Sequence, residues 1–424
     1  MLPLLEDFSS FLKDSPTSWH CVKEVSSRLC KKGFLPLEET KLWTMHTGEK
    51  YLVSRGGSIA AFCLPKKCPT EILLTVAHTD SPALKVKPNP ILVQNGMQLL
   101  QVEVYGSPIL HSWLNRDLTI AGRCFVQDDK GKVKEELVFL NELSFMIPEL
   151  AIHLNRDVNE KGPLLNKQEH LMPLLSSKLE EGLPLTIESI LRKKLSFTTL
   201  LSFDLFIVPL EEPRFLGLEK EWIASYRIDN LASVHAATVA ISSYEDSSIL
   251  PVTVFFDHEE IGSKSWEGAS SSFLQDVLCR IKHFYSLTEE EFLVLKRNSL
   301  ALSLDMAHGL NPMHTQKHDP NHRPLLGEGI VLKHNADLKY ASSAYTISKA
   351  TLIAEKAKLK IQHFVSRSDM PCGSTVGPFI TTQIGIPTVD LGAAQLSMHS
   401  ARELMATQDY LNSVTFLIEA LKPL

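Results

Sequence analysis

Short apolar runs alternate with amphipathic segments in the first and last parts of the chain. The runs "YLVS" (51–54), "EILLTVA" (71–77) and "VTVFF" (252–256) are continuous, which is typical of strands covered on both faces. Residues 18–32 instead place apolar side chains at helical spacing, and Gly33 follows as a stop signal. The pattern predicts an α/β fold in which helices flank a central mixed sheet.

A different pattern begins near residue 88. Strand-like runs follow one another there with polar turns and little helix between them, and 155–198 is a polar passage expected to be rich in helix and loop. The α/β pattern resumes near residue 223. We therefore predict two domains, a main domain formed by 1–87 and 223–424 and an inserted β-rich subdomain formed by 88–222.

The second half of the main domain contains three helical patterns, at 230–243, 341–358 and 402–421. Between them lie further strands, such as "SLALSLD", which ends at Asp305. Ligands of open α/β sheets bind beyond the carboxyl ends of the strands. Polar side chains that directly follow these strands are therefore the first candidates for a functional site.

Composition narrows the possible partners. The 424 residues have a formal net charge of −6 with no long run of one sign, so we expect neither nucleic acid nor membrane as a partner. No apolar stretch is long enough to span a bilayer, and the acidic start does not fit a secretory signal. The seven cysteines include no CxxC pair, which favours reduced thiols and a cytoplasmic protein.

Side chains that bind metals follow several of the predicted strands and turns. The candidates are His78, Asp80, Asp229, Glu259, Glu260, Asp305 and His399. Each of them alone is more often structural, as a helix cap, a solvated loop residue or a hydrogen-bonded histidine. Together, two histidines and several carboxylates are suitable ligands for zinc, manganese or cobalt without any thiolate. Their joint occurrence at strand ends predicts a metal site.

Other motifs are absent or broken. "HEEIG" lacks the second histidine of the helical zincin motif, because position 262 is Gly. His314, His318 and His322 have helical spacing, but prolines interrupt that stretch, so loop or interface histidines are expected there. No Walker loop, GxSxG elbow or GxGxxG motif is present.

Ordered blocks along nearly the whole chain resemble the aspartyl aminopeptidase family, whose members are dinuclear zinc exopeptidases that remove acidic N-terminal residues. The blocks include "AHTDSPALKVKP", "YRIDNLAS", "FDHEEIGSKSWEGA", "LDMAHGLNP", "DMPCGSTVGP" and "DLGAAQLSMHSARE". The resemblance implies two Zn²⁺ per subunit, with Co²⁺ or Mn²⁺ as alternatives in one site. Asp229 would bridge the ions. His78 and Asp305 would complete one site, and Glu260 and His399 the other.

The resemblance also implies a mechanism. A metal-bridging hydroxide would attack the scissile carbonyl, and Glu259 would act as the general base. Asp80 would orient the imidazole of His78 from behind. The peptide bond between Asp229 and Asn230 would be cis.

Substrate recognition and assembly are implied in the same way. Lys333 and Tyr340 would face the acidic side chain, Gly373 and Ser374 would lie near the substrate with backbone donors, and His153 would reach the site of a neighbouring subunit. The inserted subdomain would act as a dimerisation or lid element in a homo-oligomer, a tetrahedral dodecamer built from dimers.

Two alternatives remain at this stage. A related dinuclear hydrolase, such as a broader aminopeptidase, a carboxypeptidase or a deacylase, would use the same metal ligands. A self-assembling scaffold with incidental activity is the other, although such a protein is expected to have lost Glu259 or a ligand. The presence of Lys333 at the matching position favours acidic N-termini as substrates.

Overall fold

The computed structural model describes residues 2–178 and 183–423. The strands in this part of the chain are β1 (Phe34–Leu37), β2 (Lys50–Arg55), β3 (Ser58–Cys63), β4 (Glu71–His78), β5 (Ala83–Gln94), β6 (Met97–Tyr105), β7 (Leu118–Gln127), β8 (Val133–Phe139), β9 (Leu174–Ser176), β10 (Thr199–Pro209), β11 (Arg214–Leu216), β12 (Trp222–Ser225), β13 (Ile249–Phe256), β14 (Leu300–Leu304), β15 (Ala307–His308), β16 (Ile330–His334), β17 (Ile361–Val365), β18 (Thr388–Gly392), β19 (Ala394–Leu396) and β20 (Glu403–Ala406). The α-helices are α1 (Leu2–Asp14), α2 (Ser18–Lys31), α3 (Val158–Lys161), α4 (Ile187–Leu191), α5 (Ile228–Ser242), α6 (Phe273–Phe284), α7 (Glu289–Asn298), α8 (Ala344–Lys356), α9 (Gly377–Phe379) and α10 (Thr407–Ala420).

Two compact units divide the chain. Unit 1 consists of Met1–Asp80, Pro213–Met398 and Glu403–Leu424, and unit 2 consists of Ser81–Glu212 and His399–Arg402. The sequence-based boundaries at 87/88 and 222/223 lie further along the chain. The boundary at 87/88 lies inside β5, the opening strand of unit 2, which begins at Ala83.

Unit 1 is built on a nine-stranded mixed sheet in the order β1-β2-β3-β13-β4-β14-β18-β16-β17. Its four central strands, β13, β4, β14 and β18, are parallel to one another. Phe256 at the end of β13 is in register with His78 at the end of β4. Several carboxyl ends therefore meet at one edge of the sheet, where candidate ligands follow the strands.

Both faces of this sheet are covered, which explains the continuous apolar strands. In β4, Leu73 and Ala77 belong to one hydrophobic core, and Leu74 and Val76 belong to the core on the opposite face. The first core packs against α1, α2, α5 and α10, and the second packs mainly against α6. The fold class predicted from the sequence, a mixed sheet flanked by helices, is confirmed.

A smaller five-stranded sheet in unit 1 has the order β11-β12-β20-β19-β15. Residues 403–406 pair as β20 with β12 and β19, so the expected helix from residue 402 was wrong at its start. The helix begins only at Thr407. The short pattern "ELMA" is compatible with either structure, and tertiary pairing decides in favour of the strand.

Unit 2 contains a six-stranded antiparallel sheet in the order β8-β7-β10-β5-β6-β9. The β-rich character predicted for this region agrees with these pairings. The polar passage 155–198 contains only short elements in its described part, among them α3, β9 and α4. None of the described helices is both long and apolar enough to cross a membrane.

Candidate metal centre

The parallel strands of unit 1 bring the first candidate ligands together. His78 is the last residue of β4, and Asp305 directly follows β14. Glu259 and Glu260 lie in a 3₁₀ turn after β13, entered through His258, whose φ of 64° is left-handed. A sharp turn after a buried strand thus places two successive carboxylates at the same sheet edge.

Three of these side chains form a compact cluster. Ligand atoms of His78, Asp229 and Glu260 all lie within 4.8 Å of one another. The Nε2 atom of His78 is 3.4 Å from Oδ1 of Asp229 and 3.6 Å from Oδ1 of Asp305. The structure therefore brings together four of the five metal ligands expected from the sequence, on residues distant along the chain.

Asp80 contacts both candidate functional segments. The Nδ1 atom of His78 is 3.1 Å from the main-chain oxygen of Asp80 and 3.5 Å from its carboxylate. The same carboxylate accepts hydrogen bonds from the backbone N–H groups of Glu259 and Glu260, each at 3.1 Å. Asp80 therefore fixes the turn that carries the paired glutamates, a contact that sequence reasoning did not identify.

The segment of Asp229 is held by two buried contacts. The Asp229–Asn230 peptide bond is cis, which agrees with the expectation. The backbone N–H of Asp229 donates to Oε2 of Glu403 at 2.9 Å, and the Asn230 side chain donates to the carbonyl of Leu304 at 2.7 Å. Glu403 was not a candidate from the sequence, because nothing in its local pattern marks an acid that supports a ligand.

Replacing Glu403 by alanine is expected to destabilise the protein by about 1–3 kcal/mol, because the buried N–H of Asp229 loses its acceptor. Urea unfolding at constant zinc concentration measures the change. The matched control is Glu355→Ala, an exposed position in α8, for which we expect less than about 0.5 kcal/mol. Equal stabilities of the two variants would contradict the supporting role of Glu403.

Electrostatics within the cluster show an excess of negative charge. Burial raises the pKa of Glu259 to about 8, and repulsion from Asp305 and Asp80 adds to the rise. Burial and the charge of Asp229 raise the pKa of Glu260. Burial opposes the charged form of His78, but hydrogen bonding to Asp229 and Asp305 outweighs it and places its pKa well above the usual value. Crowded buried carboxylates of this kind favour a bound cation.

The donor set and its spacing fit zinc. Tetrahedral zinc with bonds of about 2.0–2.1 Å to nitrogen and oxygen requires ligand atoms roughly 3.3–3.4 Å apart. The separations from His78 to Asp229 and Asp305, 3.4 and 3.6 Å, are close to this value. A histidine with carboxylates, and no cysteine, is also the ligand chemistry expected of a catalytic zinc site.

A second acidic cluster, formed by Asp257, His258 and Glu267, is engaged in structural contacts. The carboxylate of Glu267 accepts the backbone N–H of Gly57 at 2.6 Å, and Asp257 accepts the hydroxyl of Ser18 at 3.0 Å. The first bond ties the turn between β2 and β3 to the segment after the glutamate pair, and the second ties the start of α2 to the residue that follows β13. We therefore assign this cluster a structural role.

Lys333 lies in β16 beside the cluster. Its side chain is 2% exposed, and Nζ is 3.1 Å from Oδ2 of Asp305. The ammonium also lies 5.3 Å from the ring centre of the buried Tyr340. Burial alone would raise the pKa of Asp305, but Lys333 and His78 hold it below its ordinary value. A buried cation therefore adjoins a candidate metal ligand.

Four further predicted site residues are not among the contacts described so far. His399 belongs to unit 2, where its Nδ1 is 3.1 Å from the carbonyl oxygen of Ser107. His153 is exposed in a 3₁₀ turn of unit 2, at Ile152–Leu154. Gly373 and Ser374 are exposed in unit 1. The functions expected for these four residues stay predictions.

A histidine and several carboxylates at the ends of parallel strands, with a further glutamate beside them, define a metal-dependent hydrolase. The comparison with known proteins specifies the class. The chain belongs to the aminopeptidase I zinc metalloprotease family (M18), whose model matches residues 11–419. It is accordingly an aminopeptidase of the metal-dependent kind.

Similar proteins span almost the same length. A probable M18 family aminopeptidase 2 from Streptomyces avermitilis is 41% identical over 414 residues, which cover 95% of this chain and 94% of the relative. An aspartyl aminopeptidase from Dictyostelium discoideum is 35% identical, with coverage of 98% and 96%. The S. cerevisiae mApe1 dodecamer matches with a TM-score of 0.85 and 26% identity, covering 98% of this chain and 95% of that one.

Proposed function

We propose that this aminopeptidase releases aspartate or glutamate from the N-termini of peptides, with two zinc ions per subunit and Glu259 as general base. The observation that carries the specificity is the buried ammonium of Lys333 beside Asp305. The name of the Dictyostelium relative, an aspartyl aminopeptidase, supports the same substrate class.

Bound zinc supplies a Lewis acid that polarises the scissile carbonyl and makes a water molecule acidic. His78, Asp229, Glu260, Asp305 and His399 are the residues that would hold it. Glu259 takes the proton from the attacking water and later gives it to the leaving amine. Asp80 keeps Glu259 in place through the backbone N–H of that residue, so the base is positioned before the substrate arrives.

Acidic specificity follows from the charge of Lys333. An ammonium group has three N–H donors, and one of them faces Asp305. The remaining donors serve the side-chain carboxylate of the substrate, which shares the ammonium with Asp305. Tyr340 lines the same position and excludes water from this ion pair. A neutral or basic N-terminal side chain would leave the buried cation with one partner fewer.

Assembly and location belong to the same proposal. We place this chain in a tetrahedral dodecamer built from dimers, in which His153 reaches a neighbouring site and unit 2 mediates dimerisation. The dodecamer of the mApe1 relative supports this arrangement. A cytoplasmic location is supported by the cysteines, because all seven are free thiols in the described structure.

Hydrolysis of aspartyl, glutamyl, leucyl and lysyl amides tests the substrate class. We expect metal-dependent cleavage of the two acidic substrates, abolished by a chelator and restored by Zn²⁺ or Co²⁺. Lys333→Met is expected to lower the ratio of kcat/KM for aspartyl over leucyl amide by about 10- to 100-fold, the loss of one charge-assisted hydrogen bond.

Lys333→Arg is the matched control, because it keeps the charge and is expected to retain part of the preference. Metal-dependent activity that prefers leucyl or lysyl amides would contradict the acidic specificity and leave a broader aminopeptidase. A properly assembled, zinc-loaded sample that cleaves none of the four amides would instead favour the scaffold interpretation.

A further inference from the structure

A cavity of about 280 Å³ lies in unit 1, and its lining contains none of the clustered metal-site residues. Its wall combines the histidine-rich segment after Asp305 with the segment before Gly373 and with β19. The lining includes His308, Lys317, His318, Phe364, Gly373 and Gln395. The site described above uses only Gly373 of these residues, so the cavity has no assigned role.

One wall residue carries a buried amide group. The Gln395 side chain is 1% exposed, and neither its Oε1 nor its Nε2 has a hydrogen-bond partner in the described part of the chain. The Nδ1 atom of His318, on the same cavity, is also buried without a partner there. Buried polar groups are nearly always paired, so these atoms indicate a missing ligand.

Contacts connect the cavity to the candidate metal centre. The ring of Phe364 on the cavity wall lies 6.4 Å from that of Tyr340, whose ring centre is 5.3 Å from Nζ of Lys333. Gln395 is paired in the sheet with His308, three residues after Asp305. The cavity therefore adjoins the residues of the proposed acidic subsite.

The chemistry of Gln395 indicates what this cavity binds. A carboxamide offers one acceptor and one donor group side by side, which complements the N–H and C=O of a peptide group. Gln395 lines the cavity, and because the last torsion of a glutamine side chain is broad, rotation of the amide turns either function toward a ligand. A small organic ion would use only one of these two functions, whereas a peptide main chain uses both.

We propose that this cavity binds the part of the peptide that follows the scissile bond, and that Gln395 pairs with the main-chain amide of that part. The inference rests on the proposed function, since it takes a peptide as substrate. Gln395 is then a substrate-binding residue that favours peptides over simple amides. His318 and Lys317 provide further polar contacts at the same cavity.

A comparison of two substrates tests this proposal. Aspartyl-alanyl-alanine has one peptide group after the scissile bond, and aspartyl p-nitroanilide has none. In the zinc-loaded full chain, Gln395→Met is expected to lower the ratio of kcat/KM for the tripeptide over the anilide by about tenfold. The same variant is expected to unfold at an equal or higher temperature, because it removes an unpaired buried amide.

Gln408→Met, at an exposed position in α10, is the matched control and is expected to keep the wild-type ratio. An unchanged ratio in Gln395→Met would overturn the proposal and leave a cavity that holds only water. A lower melting temperature with both substrates affected equally would assign Gln395 a structural role, which also overturns it. His318→Ala provides a second measurement of the ratio. If the wild-type protein cleaves neither substrate, the proposed function fails instead.

Discussion

Replacing Glu259 by glutamine is expected to lower kcat by about 10²- to 10⁴-fold while the protein keeps its zinc, because the variant loses only the group that accepts the proton. Glutamine has the same shape, and the backbone N–H of residue 259 still donates to Asp80. The neighbouring Glu260 lies in the ligand cluster with His78 and Asp229. Kinetics with aspartyl amide, combined with zinc analysis of the same samples, measures both quantities.

The adjacent residue, Glu260, provides the comparison for zinc content. Glu260→Gln is expected to lower the zinc content, whereas Glu259→Gln is expected to retain it. Glu290→Gln, exposed in α7, should change neither quantity. If Glu259→Gln lost zinc and Glu260→Gln kept it, the two residues would have exchanged roles. If Glu259→Gln retained full activity, another group would have to accept the proton.

Much of unit 1 was predictable because its strands are buried on both faces. Continuous apolar runs marked β4 and β13, and the helical spacing in residues 18–32 marked α2. The start of the last helix was not predictable, since Glu403–Ala406 is short and its pairing partners lie far away in the sequence. The sequence-based boundary at 87/88 lies inside β5 (Ala83–Gln94), because the change of pattern becomes visible only within that strand.

The residues that meet in the candidate site could be chosen from the sequence, but their geometry could not. Residue type and position after a strand marked His78 and Asp305, and the family resemblance supplied the role of Asp229. The supporting contacts left no signal in the sequence. Glu403 accepts a hydrogen bond from one backbone N–H, and Asp80 accepts hydrogen bonds from two more. Such contacts depend on which segments the fold brings together.

Asp229→Asn is expected to lower kcat/KM by about 10³-fold or more through loss of zinc, since a bound ion contributes several kcal/mol to transition-state stabilisation. The backbone around residue 229 should keep its position, because Glu403 and the Leu304 carbonyl hold it without the side-chain charge. Zinc content and activity on aspartyl amide check this result. The control is Asp129→Asn, which makes the same change of charge in an exposed turn of unit 2.

The same substitution is expected to affect the free energy of unfolding differently in chelator and in zinc. In chelator, Asp229→Asn should be at least as stable as wild type, because it removes one of several crowded negative charges. With free zinc about 1,000-fold above its dissociation constant, wild type should gain about 4 kcal/mol that the variant does not gain. Urea unfolding under both conditions measures the order of stabilities. A variant that is less stable by the same amount in both would show that Asp229 supports the fold independently of metal. If the variant is the more stable protein in chelator and wild type is the more stable in zinc, the carboxylate cluster destabilises the fold without the ion. That result is expected if these carboxylates are kept together for metal binding.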